Sequence, residues 1–291
     1  REELARVHDA AHLDRIEAVD GKPSMLDADT FTSPESYEIA LLAAGAAVQA
    51  AQHAVRTGEP AFALVRPPGH HAERDKAMGF CLFNNVAIAA AAARSAGVER
   101  VAIVDIDVHH GNGTQWIFYD DPRVLYVSSH QFPFYPGTGA ADEVGTGAGA
   151  GFNVNIPLAA GATDADYDLV YRTVAVPVLE QFKPQLTLIS AGFDAHEADP
   201  LASMRMSASG YARIVARLKA AAVRSGVLAL VTEGGYDLPA LGDCLQGTLS
   251  ILDADMIGLA NEETFRAQPA PRGERALNAV RAAQARFWPG I

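Results

Sequence analysis

Four short runs constrain this chain more than anything else in it: AFALV (61–65), VAIV (101–104), LTLIS (186–190) and VLALV (227–231). They are nearly continuous in apolar residues and show no polar alternation. A strand of that kind is covered on both faces, which is the mark of a mainly parallel sheet layered with helices. Segments with helical spacing or dense alanine separate them, at 36–55, 85–96, 164–182 and 207–225. RVLYVSSH (123–130) and FNVNIPL (152–158) read as further strands. Residues 1–20, 238–252 and 274–287 have helical spacing, with a looser segment between the last two. Residues 21–34 and the glycine-rich 140–151 read as loops, and Gly58 ends the helix before the first strand. The expectation is an α/β fold in which an open, mainly parallel sheet carries helices on both faces. No linker, repeat or low-complexity tract divides it, so residues 1–291 are expected to form one domain.

Composition narrows the functional classes. The apolar share is 49% and the charged share 20%, as in folded globular chains. Lys plus Arg number 23 against 35 for Asp plus Glu, a net charge of −12. That disfavours a nucleic-acid surface and suits a neutral or cationic substrate. No apolar run reaches bilayer length, and no secretory leader is visible, so no membrane partner is expected. The two cysteines, Cys81 and Cys244, lie far apart and in no metal spacing. This fits a reducing compartment and a cytoplasmic location. Self-association is left open.

The chemistry gathers where the apolar runs end. VAIV continues into Asp105, Asp107 and His109, every second residue, which an extended strand would aim to one side. Gly111 and Gly113 then let the backbone turn. AFALV exits into His70 and His71 behind a Pro-Pro-Gly turn, LTLIS into Asp194, and VLALV into Tyr236. In open α/β sheets ligands bind at the carboxyl ends of strands, so these residues are expected to share one site. Asp107, His109 and Asp194 supply the three protein ligands of a catalytic zinc with a position left open. Zinc lowers the pKa of water, and a base and an acid must then move protons, which suits His70 and His71. Asp105 is placed to orient one imidazole, and the Asn112 side chain to accept from the other. Tyr236, set between Gly235 and Asp237, can donate its hydroxyl to a developing oxyanion. Phe80, after Gly79, and Tyr135, before Pro136-Gly137, are loop aromatics, read either as channel walls or as packed core. His8, His12, His53, His110, His130 and His196 are assigned to the surface or to a satisfied core.

The motifs RPPGHHA, GFCLFNN, DIDVHHGNGT, YPGTG, SAGFDA and EGGYDL occur in this order. Together they resemble the histone deacetylase family, and its class II branch in particular, over roughly residues 1 to 255. The resemblance implies the arginase/deacetylase fold and zinc-dependent removal of acetyl groups from amines. It implies Asp107, His109 and Asp194 as zinc ligands, and His70 as the histidine paired to a buried Asp105. It likewise implies His71 beside Asn112 as general base and acid, and Tyr236 as the residue that polarises the carbonyl. Phe80 and Tyr135 match the walls of the acyl-lysine tunnel, the second being Phe in most relatives, and Gly79 lies with them. Structural potassium is implied too, one site using Asp105, the backbones of Asp107 and His109, Ser128 and Ser129. A second would use backbone groups near Phe118, Asp121, Val124 and Phe152. The family's opening strand and first active-site loop are expected to precede residue 1. Leu201 stands where polyamine-selective relatives carry glutamate, which favours an acyl-lysine or other uncharged-tail substrate. The rival readings are an acetylpolyamine amidohydrolase and, from another class, a non-catalytic metal-binding scaffold. The composition hints at a bacterial source, so "histone" in the family name does not name the substrate.

Overall fold

The computed structural model describes residues 1–254, 263 and 267–291. A small antiparallel pair, β1 (Ser24–Met25) and β2 (Phe31–Thr32), precedes the main sheet. That sheet comprises β3 (Ala61–Ala63), β4 (Val101–Asp105), β5 (Val124–Gln131), β6 (Asn153–Leu158), β7 (Leu186–Ala191) and β8 (Val227–Thr232). Its spatial order is β3-β8-β7-β4-β5-β6, and every neighbouring pair is parallel. The order reverses beside β4: the chain runs outward through β5 and β6, then returns to place β7 on the other side. Such a reversal opens a crevice at the carboxyl ends of the two strands.

All five residues of β4 are buried, as its lack of polar alternation requires. Ala102 and Val104 pack with Tyr167, Val170, Ile214 and Leu218 in one layer. Val101 and Ile103 pack with Ala47, Ala51, Val86 and Ala90 in the other. The second layer is built by α2 (Ser36–Thr57) and α3 (Asn85–Ser95), whose buried faces are mostly alanine. Gly58 closes α2 at φ 79°, a left-handed conformation that suits glycine. The short α4 (Asn112–Phe118) follows β4, and the first layer holds α5 (Asp164–Val170) and α6 (Val176–Phe182), then α7 (Ala208–Ala222), α8 (Leu238–Asp253) and α9 (Pro271–Gln284).

Several boundaries differ from the sequence expectation. Residues 1–20 are not one helix: a 3-10 turn at Leu4–Arg6 is followed by α1 (Ala10–Glu17). The break falls where His8 turns inward, its Nδ1 2.8 Å from the Glu73 carbonyl and its Nε2 accepting the Asn84 N–H at 2.9 Å. The loop expected over 21–34 contains the β1–β2 pair. The helix expected over 164–182 passes through a π turn at Tyr171–Ala175, just before Pro177, which has no N–H to continue the regular ladder. β4 ends at Asp105, so Asp107 and His109 lie on the bend beyond it. The alternation survives that bend: Ile106 and Val108 remain in the core, and the polar side chains face the other way. The looser segment expected after 252 lies largely outside the described residues. Among the described residues no helix is long and apolar enough to cross a membrane.

Burial, with its neighbour His12 adding to the effect, pushes His8 down to about 4. In the unfolded chain a histidine titrates near 6.5. Between those values the unfolded state binds more protons, so His8 withdraws stability as pH falls from about 6.5 toward 4, on the order of 3 kcal/mol. Urea unfolding at pH 7 and pH 4.5 checks this. The stability gap between wild type and His8→Asn is expected to narrow at the lower pH, and a constant gap would contradict it.

Candidate metal and active site

The strand exits converge as the sequence suggests. One ligand atom from each of Asp107, His109 and Asp194 lies within 4.8 Å of the others. His109 Nδ1 stands 3.2 Å from Asp107 Oδ1 and 3.1 Å from Asp194 Oδ2. Both carboxylates are buried and aimed by backbone N–H groups. Gly234 N donates to Asp107 Oδ2 and Val108 N to Asp194 Oδ1, each at 2.8 Å. Glycine is required beside them. A Cβ on Gly192 would meet Asp107 Oδ2 at 2.0 Å, and one on Gly234 would meet Asp194 Oδ2 at 2.2 Å.

Crowding two buried carboxylates is costly without a cation between them. Burial and the charge of Asp107 push Asp194 up to about 6. Burial works against charge on His109 too, but its hydrogen bonds to Asp107 and Asp194 outweigh that and raise it to about 10. A point that draws a proton this strongly, ringed by two carboxylates and an imidazole, fits a divalent metal of borderline softness.

Two histidines flank that point, with ring centroids 4.1 Å apart. His70 Nδ1 is 3.0 Å from Asp105 Oδ2, which also accepts the Tyr126 hydroxyl at 3.0 Å. Burial opposes charge on His70, but Asp105, Asp107 and Glu233 outweigh it and raise its pKa well above the usual value. His71 goes the other way: burial first, then the charges of His70 and His109, hold it well below. Its Nδ1 meets Asn112 Oδ1 at 2.8 Å, and Asn112 Nδ2 donates to Glu73 Oε1 at 2.6 Å, which fixes the amide orientation. His71 is therefore a neutral imidazole with its proton on Nδ1 and a free lone pair on Nε2.

Tyr236 reaches the cavity from the β8 exit. Burial and the nearby Asp107 and Asp194 raise its pKa, so the hydroxyl stays a donor. The cavity, about 180 Å³, is lined by His70, His71, Asp107, His109 and Tyr236, with Gly79, Phe80, Tyr135 and Leu201 along its walls and rim. Gly79 (φ 57°) sits against the His71 ring, where a Cβ would come within 2.3 Å of Cδ2. Phe80 also has a left-handed backbone, φ 68°. Thr30 Oγ1, accepting the Phe80 N–H at 3.0 Å, helps hold that costly conformation. Phe80 and Tyr135 are thus walls rather than core.

Besides Gly234, three lining residues were not singled out from the sequence. Phe134 stacks on His109, with centroids 5.5 Å apart and planes 18° from parallel. Pro68 and Asp29 also line the cavity, and Asp29 Oδ1 accepts the Gly79 N–H at 3.3 Å. A neighbour of Tyr135 could have suggested Phe134; Asp29 gives no local signal. Of the residues linked to potassium, Asp105 and Ser128 pair across β4 and β5. The hydroxyls of both serines are already engaged, Ser128 with His130 Nδ1 at 2.9 Å and Ser129 with the Tyr171 hydroxyl at 2.7 Å. His8, His12, His110 and His130 are buried and hydrogen-bonded away from the cavity.

A family model described as the histone deacetylase domain matches residues 1–252. The chain belongs to the histone deacetylase family. A probable deacetylase of Archaeoglobus fulgidus is 45% identical over 240 residues, covering 81% of this chain and 67% of that protein. A histone deacetylase-like amidohydrolase of Pseudomonas aeruginosa is 46% identical over 244 residues, covering 81% and 63%. Histone deacetylase 15 of Arabidopsis thaliana is 40% identical over the whole chain, which spans 53% of its length. The crystal structure of the HDA15 HD domain superposes with a TM-score of 0.92 at 39% identity, covering 99% of this chain and 79% of that one. The fold is that of the arginase/deacetylase proteins, and the domain is a hydrolase of amide C–N bonds.

The glycine contacts give a direct check on the metal site. Gly192→Ala is expected to displace the Asp107 carboxylate and weaken the binding of an added divalent metal by about tenfold or more. Competition with a chromophoric chelator measures it, and an unchanged affinity would show that Asp107 is not a ligand.

Proposed function

We propose that this domain is a zinc-dependent deacylase acting on acyl-lysine side chains of proteins or peptides. The observation that carries the reading is that a neutral His71 and a protonated Tyr236 line one cavity with Asp107 and His109, which cluster with the buried Asp194. Zinc held by those three residues supplies Lewis acidity toward the acyl carbonyl and toward water.

The chain's own groups do the rest. His71 Nε2 takes the proton of the attacking water. Asn112 keeps the opposite nitrogen protonated, so only Nε2 is open to that proton. Tyr236 donates its hydroxyl to the carbonyl oxygen as negative charge develops there. His70, tied to Asp105, supports the site as a positive neighbour and discourages a second proton on His71 until the transfer begins. As the C–N bond breaks, His71 passes its proton to the leaving amine. Phe80 and Tyr135 flank the substrate chain and exclude water. Potassium bound near Asp105 and Ser128 is part of this proposal, as are a single domain over 1–291 and a cytoplasmic location.

Leu201 favours acyl-lysine over acetylpolyamine. It is 39% exposed at the cavity and offers no charge to a distal ammonium. Turnover of acetyl-lysine peptides, acetylputrescine, acetylspermidine and small acetamides on zinc-loaded protein, with a hydroxamate control, tests the reading. No hydrolysis of any acyl amine would sink it and leave the scaffold reading. Leu201→Glu is expected to shift relative kcat/KM toward acetylpolyamines by about tenfold, or ~1.4 kcal/mol. Tyr236→Phe should lower kcat by about 100-fold with zinc content unchanged, whereas near-normal turnover would remove the tyrosine from the chemistry.

A further inference from the structure

The reaction described above makes no use of one carboxylate buried behind the histidine turn. Glu233 is fully buried one residue beyond β8. Its Oε2 accepts the N–H of Gly69 at 2.6 Å and that of His70 at 3.1 Å, and its Oε1 accepts the Ser190 hydroxyl at 2.9 Å. The grip is returned. Arg66 Nη1 donates to the Glu233 carbonyl oxygen at 2.9 Å, and the guanidinium lies 5.4 Å from the centroid of the Tyr236 ring. Segments 66–70 and 233–236 therefore hold each other in both directions. One carries the His70–His71 pair and the other leads into Tyr236.

Burial pushes the Glu233 carboxyl up to about 7, so keeping a carboxylate here is unfavourable by itself. An apolar side chain would fill the space at lower cost, but it would leave two buried N–H groups unmatched. The turn has no room to rearrange around such a loss, because a Cβ at Gly69 would already meet Asn85 N at 2.4 Å.

We infer that Glu233 is a positioning residue for the reaction, its carboxylate fixing the backbone of the His70–His71 turn against the turn that carries Tyr236. The catalytic consequence rests on the deacylase reading, while the clasp itself is measurable without turnover.

The test compares Glu233→Ala and Glu233→Gln in the full chain loaded with zinc. Glutamine keeps one oxygen for both N–H groups and turns its amide toward Ser190 Oγ, preserving the contacts without the charge. For Glu233→Ala, kcat per folded, zinc-loaded molecule should fall about 100-fold with KM little changed, as displacement of a base by about 1 Å would produce. For Glu233→Gln, kcat should stay within about fivefold of wild type. Amide hydrogen exchange over 66–71 should quicken in the alanine variant and not in the glutamine one. If the alanine variant does not fold, Glu233→Asp, one methylene short of the turn, takes its place with the same expectation. Wild-type kcat in the alanine variant, a loss carried by KM, or a glutamine variant as slow as alanine would each overturn the inference. If the wild type hydrolyses no acyl amine, the deacylase reading fails, and unchanged exchange over 66–71 in the alanine variant would separately dismiss the clasp.

Discussion

Everything at the carboxyl end of this sheet depends on matching carboxyl groups buried where water does not reach. Asp105, Asp107, Asp194 and Glu233 are all buried there. Each is matched differently: Asp105 by an imidazole and a phenol, Glu233 by two backbone amides and a hydroxyl. Asp107 and Asp194 also have backbone donors, but they share one histidine nitrogen between them. That shortfall is what a divalent cation would cover. The same crowding explains the glycines. At Gly111, Gly192 and Gly234 a Cβ would fall within 2.3 Å of a carboxylate oxygen, so the sequence is thinned where the charges stand. Turn flexibility alone does not account for those positions.

The carboxylates also divide the labour of two adjacent histidines. His70 and His71 are equally buried, so burial cannot separate them. Their partners do, because a carboxylate faces one Nδ1 and a neutral amide the other. The first imidazole is driven toward its charged form, and its charge then disfavours a proton on the second. A neutral imidazole beside a charged one thus arises from an asymmetry of partners rather than from any property of the dipeptide.

Much of this was legible because the informative residues sit at strand ends. Continuous apolar runs predict a sheet covered on both faces, and the strand-exit rule then predicts that His70, Asp107, Asp194 and Tyr236 meet. What the sequence hid depends on contacts between distant segments. The β1–β2 pair is two residues per strand, too short for a period to show, yet its loop brings Asp29 to the cavity. Glu233 stands in plain view before Gly234-Gly235-Tyr236, but its backbone partners lie more than 160 residues earlier, at positions 69 and 70. The π turn at 171–175 leaves the helical spacing of 164–182 nearly intact, so only Pro177 hints at it.

The cavity walls extend the argument to what can enter. Phe80 faces Tyr236 edge-on at 5.9 Å, and Tyr135 meets the His71 ring edge-on at 5.2 Å. A passage between such faces suits an extended unbranched chain and resists a branched one. Tyr135 differs from a phenylalanine by one hydroxyl. Burial, then the charges of Asp29 and Asp27, hold that hydroxyl protonated. The cavity wall therefore presents an O–H and the Asp29 carboxylate together, alongside the apolar Phe80, Phe134 and Leu201. A substrate that is polar at its stem and apolar along its tail meets both demands, and a peptide-borne acyl-lysine has that distribution. A free acetylpolyamine carries its second charge further along the chain, where Leu201 offers no partner and Asp29 is the carboxylate within the same lining that could meet it.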